Sequence, residues 1–188
     1  RYSVATRGRL QSNANFRLMP ELLDDFEQRS KSVMTGRLGD DIAYVSVGSW
    51  DFSRQSQIKP AFDAIDEYKD VPAMTIDVRA NGGGSEILAQ SFASSFVDER
   101  VHYASHISVD PASDRFKPMG KRFLEPRDED RSYDGPVAVL VGPHIMSSGE
   151  AFVLMMKAAP NAFLVGAPTY GSSGNPKSIE LGNGVTVW

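Results

Sequence analysis

The position of Ser147 in the sequence allows two very different roles. Glu150 follows it three residues later and an apolar run comes next, within the segment HIMSSGEAFVLMMKAAP. An S-x-x-E pattern before an apolar run predicts a helix start with a capping box, in which hydroxyl and carboxylate accept hydrogen bonds from free backbone amides. The same position suits an attacking hydroxyl, because free N–H groups at a helix start can hold an oxyanion. Both interpretations stay open on this segment alone.

A run of glycines supplies a second group that such chemistry needs. Residues 82–84 are all glycine, and glycine accepts the positive φ angles with which a loop turns its amides into a crevice. The N–H of Gly82 or Gly83 and the N–H of Ser148 would then form an oxyanion hole beside the Ser147 hydroxyl. Donors of that kind contribute about 3 to 4 kcal/mol each in hydrolases. Taken singly, however, a simple turn and a simple helix cap explain the two segments equally well.

The elements that must position these loops alternate between strands and helices. We predict strands at IAYVSVGSW, AMTIDVR, RVHYASHISV, PVAVLVG and AFLVGA, and helices at QIKPAFDAIDEYKD, SEILAQSFASSFV and the segment after Ser147. The spacing of apolar residues predicts these inward side chains: Ile58, Phe62, Ile65, Tyr68, Ile87, Leu88, Phe92 and Phe96. Such alternation predicts an α/β fold with a mostly parallel sheet. In such sheets the ligand crevice lies beyond the carboxyl ends of the strands, where both loops fall.

Two parts of the chain are less regular. We expect residues 1–40 to be an N-terminal segment that ends a preceding module, with one amphipathic helix over 15–31, and residues 41–188 to be the core domain. Residues 110–134 are charged and predict a surface excursion with one short strand. The last residues predict a hairpin whose second strand has only just begun, so we expect the core domain to be truncated at the C-terminus.

Composition excludes several classes of protein. The chain has 188 residues, a formal net charge of −4 and no cysteine. Mixed charges without a basic patch argue against a nucleic-acid partner. No apolar run reaches the roughly 18 to 20 residues of a membrane span. The absence of cysteine excludes thiolate nucleophiles and cysteine-based zinc sites, and it fits either a reducing compartment or a bacterial periplasm.

Two blocks taken together resemble a known family. They are TIDVRANGGGSEILAQSFASSF and VAVLVGPHIMSSGEAFVLMMKAAPNAFLVGAPTYGSSGNP. They look like the core domain of the tail-specific or C-terminal processing peptidases, which also include the tricorn and interphotoreceptor retinoid-binding protein branches. The resemblance runs from about residue 41 to residue 188. It implies a ClpP/crotonase-like core of stacked β-β-α units with a mostly parallel sheet.

The resemblance also implies a site and a partner. Ser147 would be the catalytic nucleophile of a serine peptidase, and the N–H of Ser148 with that of Gly82 or Gly83 would form the oxyanion hole. A polypeptide would be the substrate, with no metal and no organic cofactor, and the oligomeric state stays open. Glu150 would keep its capping role, and Asp77 and Arg79 would form a buried ion pair. By family analogy the location would be a bacterial cell envelope or periplasm.

The general base that the resemblance implies has no plain counterpart. In the serine–lysine branch the lysine would fall at position 172, which is serine here, and Lys177 is the nearest lysine downstream. In the tricorn-like branch the histidine lies upstream of the core and the glutamate beyond the final hairpin. No histidine precedes residue 102 of this chain. His144 and Ser172 are candidates for lining the substrate, and His144 is also a candidate base.

The two remaining histidines and two further functions complete the alternatives. His102 and His106 would share one face of a strand, and a metal site there would lack a third ligand, so we expect a solvated face. A second function is a catalytically silent member of the same fold that binds peptide or an apolar ligand. A third is an acyl-CoA enzyme of the crotonase type. The SSGE and GAPTYG segments favour the peptidase branch.

Overall fold

The structure is a computed structural model, and it describes residues 12–110, 112–113, 115–127, 132–173 and 178–187. The base candidate Lys177 and residues 1–11 of the predicted N-terminal segment lie outside these ranges. Most of the predicted core domain lies within them.

Strands and helices alternate along the chain. The strands are β1 (Asp24–Glu27), β2 (Val33–Leu38), β3 (Ile42–Val47), β4 (Ala73–Asp77), β5 (Val101–Asp110), β6 (Arg115–Leu124), β7 (Val137–Val141), β8 (Ala162–Gly166), β9 (Ile179–Glu180) and β10 (Thr186–Val187). The α-helices are α1 (Met19–Leu22), α2 (Gln55–Glu67), α3 (Glu86–Ala93) and α4 (Ser148–Ala158). Three short 3-10 helices cover Phe16–Leu18, Phe52–Arg54 and Ser94–Phe96. The strands predicted from IAYVSVGSW to AFLVGA and the three predicted helices are confirmed.

A six-stranded sheet in the order β1-β2-β3-β4-β7-β8 forms the centre of the fold. The pairs β3–β4, β4–β7 and β7–β8 are parallel, whereas β1–β2 and β2–β3 are antiparallel. This confirms the predicted α/β fold with a mostly parallel sheet. Because β4 and β7 are parallel neighbours, the loops that follow them leave the sheet at the same edge. Those loops carry the glycine run and Ser147.

The segment before residue 41 takes part in this sheet. The single helix predicted over 15–31 is wrong beyond Leu22, because the chain becomes extended at Leu23 and then forms β1. Leu23 is buried against Gly36 of β2, where an added Cβ would come within 2.9 Å of the Leu23 Cβ. β2 in turn pairs with β3 across residue 40. The division of the chain at residue 40 stays a prediction.

The predicted excursion at 110–134 contains a long strand rather than a short one. β6 spans ten residues and pairs with β5 as a separate two-stranded sheet. Most of its side chains are exposed on both faces, and its register shifts near His106, so the alternation that marks a half-buried strand is missing. On α3, Leu88 and Phe92 are buried as predicted, but Ile87 is 78% exposed and its inward placement was wrong.

An aromatic cluster ties the helices to the sheet beneath the candidate loops. Trp50 is fully buried, and its ring lies 5.5 Å from that of Phe92 in α3 and 5.0 Å from that of Phe152 in α4. Both α3 and α4 are therefore held against the same residue, which follows β3. Within the described residues, no helix has both the length and the apolar character needed to cross a bilayer.

Candidate active site

Ser147 has an unusual backbone conformation for a residue that precedes a helix. It is the N-cap of α4 with φ 56° and ψ −129°, and its side chain makes no capping hydrogen bond. An N-cap hydroxyl reaches the first-turn amides from an extended backbone, so the predicted capping box does not form at this positive φ. Conformations of this kind cost about 1 to 3 kcal/mol in non-glycine residues and persist where the surroundings impose them. The Ser147 hydroxyl is therefore left for another role.

Glu150 stabilises a neighbouring loop instead of capping the helix. Its Oε1 accepts hydrogen bonds from Thr169 Oγ1 (2.6 Å) and from the N–H of Gly171 (2.7 Å), and its Oε2 accepts one from the N–H of Ser172 (2.8 Å). The Ser172 carbonyl then accepts the N–H of Ser147 at 2.7 Å. Glu150 thus holds the loop that fixes the Ser147 backbone, and the capping role expected for it is wrong.

The glycine run lies directly against Ser147. Gly83 has φ +100°, and a Cβ there would fall 2.8 Å from both the Met146 carbonyl and the Ser147 Cβ. The same Cβ would lie 3.2 Å from the Ser148 nitrogen. No other residue type fits this approach without displacing Ser147. The two segments singled out in the sequence are thus neighbours in the fold.

Asn81 organises the amides of this loop, a role that the sequence did not indicate. Its side chain is fully buried, its Nδ2 donates to the Val47 carbonyl (3.0 Å), and its Oδ1 accepts the N–H of Gly83 (2.9 Å). Within the described residues, the N–H groups of Gly82 and Ser148 have no hydrogen-bond acceptor. The available pair beside Ser147 is therefore Gly82 with Ser148, and the N–H of Gly83 is engaged inside the loop.

The far end of the glycine run is joined to the residue after β3. The N–H of Trp50 donates to the Gly83 carbonyl (2.9 Å), and the Trp50 carbonyl accepts the N–H of Ser85 (2.6 Å). Gly84, at φ +137°, touches the Trp50 and Asp51 backbones so closely that no Cβ could fit. The loop is held at both ends before it reaches Ser147.

An ion pair lies beneath the loop at the end of β4. Asp77 is 1% exposed and accepts hydrogen bonds from Arg79 Nη2 (2.6 Å), from Arg79 Nε (3.0 Å) and from the Tyr44 hydroxyl (2.7 Å). The predicted Asp77–Arg79 pair is therefore present. Burial, with the Asp77 charge adding to it, raises the pKa of Tyr44 well above its ordinary value, so this hydroxyl stays a donor.

The other candidate side chains lie in two regions, the loops around Ser147 and the β5–β6 hairpin. His144 is partly buried in the same β7–α4 loop, and Ser172 contacts Ser147 through its backbone. His102 and His106 are exposed on the β5–β6 hairpin; His102 Nε2 lies 3.1 Å from Ser105 Oγ, and His106 Nδ1 lies 2.9 Å from Arg122 Nη2. Among the described residues, no group of three or more acidic, histidine or cysteine side chains is placed to hold a metal ion.

Comparison with known proteins decides the family. The model of peptidase family S41 matches residues 41–187, which is most of the chain. The chain belongs to peptidase family S41. The resemblance seen in the sequence is confirmed, and the assignment to a peptidase family argues against the crotonase-type alternative. Among curated proteins, none matches this chain.

Solved structures of this fold come from several peptidases. A candidate peptidase from Parabacteroides merdae is 30% identical with a TM-score of 0.74, over 93% of this chain and 55% of that one. Mature CPAF complexed with lactacystin is 13% identical (TM-score 0.69; 84% and 45% covered). The photosystem II D1 C-terminal processing protease is 18% identical (TM-score 0.57; 87% and 38% covered). The last two share the fold alone, and this chain spans about half the length of the first.

Proposed function

We propose that this S41 domain is the catalytic core of a serine peptidase in which Ser147 is the nucleophile. The observation that carries the proposal is the conformation of Ser147: a positive φ, no capping hydrogen bond and two amides without acceptors beside it among the described residues. A structural N-cap would have an extended backbone and a hydroxyl bonded to the first turn. The strained backbone of Ser147 instead leaves its hydroxyl available for attack.

The proposed chemistry is acyl transfer. Ser147 Oγ attacks the carbonyl carbon of the scissile peptide bond and its proton passes to a general base. The negative charge that develops on the carbonyl oxygen is held by the N–H groups of Gly82 and Ser148. The C–N bond then breaks, the amine leaves with a proton, and water hydrolyses the ester on Ser147. Asn81 and Glu150 touch none of the reacting atoms, and their part is to position the two loops.

Two sources of the general base can be told apart by experiment. His144 is the histidine in the loop of Ser147, whereas a residue outside the described part of the chain, Lys177 included, is the alternative. If His144 is the base, His144→Gln abolishes turnover, and imidazole added to a His144→Gly variant restores part of it. If it only lines the substrate, His144→Gln raises KM and leaves kcat within a few-fold.

We propose an extended polypeptide as the substrate, with C-terminal processing or degradation as the outcome. Membership of the S41 family supports the polypeptide, and the shared fold with a C-terminal processing protease is in keeping with the finer assignment. Digestion of a peptide that carries a different label at each end distinguishes C-terminal processing from cleavage at internal sites. C-terminal processing first releases short fragments that carry the C-terminal label, whereas cleavage at internal sites releases fragments without either label.

The decisive experiment is covalent labelling. The complete protein that carries this chain is incubated with a fluorophosphonate and analysed by intact mass. We expect one adduct in the wild type, no adduct in Ser147→Ala, and a retained adduct in the matched variant Ser148→Ala, which keeps the Ser148 N–H. Absence of any adduct, with a folded protein that still binds peptide, would instead support the catalytically silent binding member of the family.

A further inference from the structure

A cavity lies beside the residues that lead into the glycine loop. It has a volume of about 350 Å³, and its described wall includes Phe16, Met34, Gly48 and Ala80. This volume is at the lower end of the range for small-ligand sites, about 300 to 1,000 Å³, and it suits one or two amino-acid side chains.

The sheet topology places this cavity at the edge where ligands bind. Val33 pairs with Val47, so the start of β2 lies beside the carboxyl end of β3, and the N–H of Gly48 donates to the Ser32 carbonyl (2.8 Å). Ala80 follows β4 and directly precedes Asn81. Since carboxyl ends of parallel strands border the crevice of such folds, the cavity and the candidate active site open at the same edge.

The cavity and the site are also linked through Asn81. Its side chain bonds the Val47 carbonyl, next to the cavity residue Gly48, and the N–H of Gly83, next to Ser147. Ala80, which lines the cavity, is two residues from Gly82 in the chain. A substrate chain lying across the Gly82 amide would therefore reach the cavity within a few residues, since an extended chain advances about 3.3 Å per residue.

The charge of the cavity is positive in a protein whose formal net charge is −4. Arg17 and Lys31 line it, and within the described residues neither has an ion-pair partner. None of its described lining residues is acidic. Two carboxylates near the cavity form ion pairs with other arginines: Glu27 pairs with Arg29 (3.1 Å), and Asp77 pairs with Arg79 (2.6 Å).

We propose that this cavity is a subsite that binds a carboxylate of the polypeptide substrate, with Arg17 and Lys31 as the charged contacts. Phe16 and Met34 would pack on the aliphatic part of the residue that carries the carboxylate. The carboxylate comes from an acidic side chain or from the chain terminus, which share this chemistry. The proposal rests on the polypeptide substrate proposed above and adds the selectivity of the site.

Binding to the uncleaving Ser147→Ala protein tests the subsite. The probe is a ten-residue peptide library of neutral residues with an uncharged coumarin at the N-terminus, made in four versions: central Asp or Asn, each with a free or an amidated C-terminus. We expect at least one of the peptides with a carboxylate to bind about three- to tenfold more tightly at low salt than the peptide with central Asn and an amidated C-terminus, as for exposed ion pairs. The advantage should shrink at about 0.5 M salt. Comparing the two single-carboxylate versions identifies the source.

Matched charge variants make the result specific. The pair Arg17→Gln and Lys31→Gln should remove the preference, whereas Lys69→Gln with Lys157→Gln, which removes two exposed charges elsewhere, should keep it. Equal binding of all four versions, or a preference that survives the loss of Arg17 and Lys31, would overturn the subsite while leaving Ser147 labelling intact. Failure of every version to bind would overturn it too, and loss of labelling would count separately against the peptidase.

Discussion

Replacing Glu150 tests whether the loop at 169–172 controls the reactivity of Ser147. The Glu150 carboxylate accepts three hydrogen bonds from this loop, and losing one partner of a charged hydrogen bond costs about 1.5 to 3 kcal/mol where water cannot replace it. The amides of Gly171 and Ser172 belong to exposed residues, so water takes over part of each bond. We therefore expect Glu150→Ala to loosen the loop by about 2 to 3 kcal/mol in total.

That loss should reach the nucleophile because the Ser172 carbonyl holds the N–H of Ser147. If the whole of it is felt in the transition state, the rate of fluorophosphonate labelling falls about 30- to 150-fold, at about 1.36 kcal/mol for each factor of ten. Glu150→Gln keeps one carbonyl oxygen for Thr169 and Gly171 but turns an NH2 group toward the Ser172 N–H, so we expect about a tenfold loss.

The assay pairs labelling rates with amide hydrogen exchange of residues 169–172. We expect faster exchange at Gly171 and Ser172 in both Glu150 variants, and no change in Glu21→Gln, which makes the same chemical replacement at an exposed site in α1. Glu150→Ala with faster exchange and a wild-type labelling rate would refute the reasoning, because the loop would then be free of any influence on Ser147.

Three further predictions come from the same geometry. Gly82→Ala should leave the melting temperature unchanged, since no atom lies within 4 Å of the added Cβ, but it should slow labelling because the methyl group crowds the Gly82 N–H. Gly83→Ala should lower the melting temperature and abolish labelling, because its Cβ meets Ser147. Ser147→Ala should be as stable as wild type, since no cap is lost. Ser147→Gly should be more stable than Ser147→Ala by about 1 kcal/mol, through relief of strain at positive φ; equal stability by chemical denaturation would count against that strain. Burial, assisted by the hydrogen bond to Glu86, raises the pKa of Tyr103 to about 12, so the stability that this protonated hydroxyl contributes is present below about pH 10 and lost between about pH 10 and 12. Tyr103→Phe should flatten unfolding free energy against pH in that window, and an unchanged slope would contradict the shift.

Sequence patterns were sufficient where one residue type leaves few structural choices. The apolar run of β7 and the helical spacing in α2 predicted buried elements, and the glycines at 82–84 predicted a turn that a Cβ would disrupt at Gly83 and at Gly84. The length of β6 was underestimated because most of its side chains are exposed, and a strand shows apolar–polar alternation only when one of its faces is buried.

The S-x-x-E pattern shows a different kind of failure. It located the start of α4 correctly, and the partners of both side chains were wrong. A capping box is a local arrangement, but here Ser172, in a loop beyond the next strand, takes the N–H of Ser147, and residues 169–172 take the Glu150 carboxylate. Local spacing carries no information about such distant competitors.

The conformation of Ser147 follows from contacts with two segments that are distant in sequence, one of which is held by a third. Gly83 occupies the space beside its Cβ, the Ser172 carbonyl holds its N–H, and Trp50 fixes the loop to which Gly83 belongs. Strain of about 1 to 3 kcal/mol is retained only when the surroundings over-determine it. Here the Gly83 contact, held in place by Trp50, and the Ser172 hydrogen bond do so. In the proposed reaction these contacts would fix the hydroxyl beside the N–H groups of Gly82 and Ser148, which have no acceptor within the described residues. If Ser147 is the nucleophile proposed above, this fixing of the groups would favour the reaction, because preorganised amides stabilise an oxyanion most strongly.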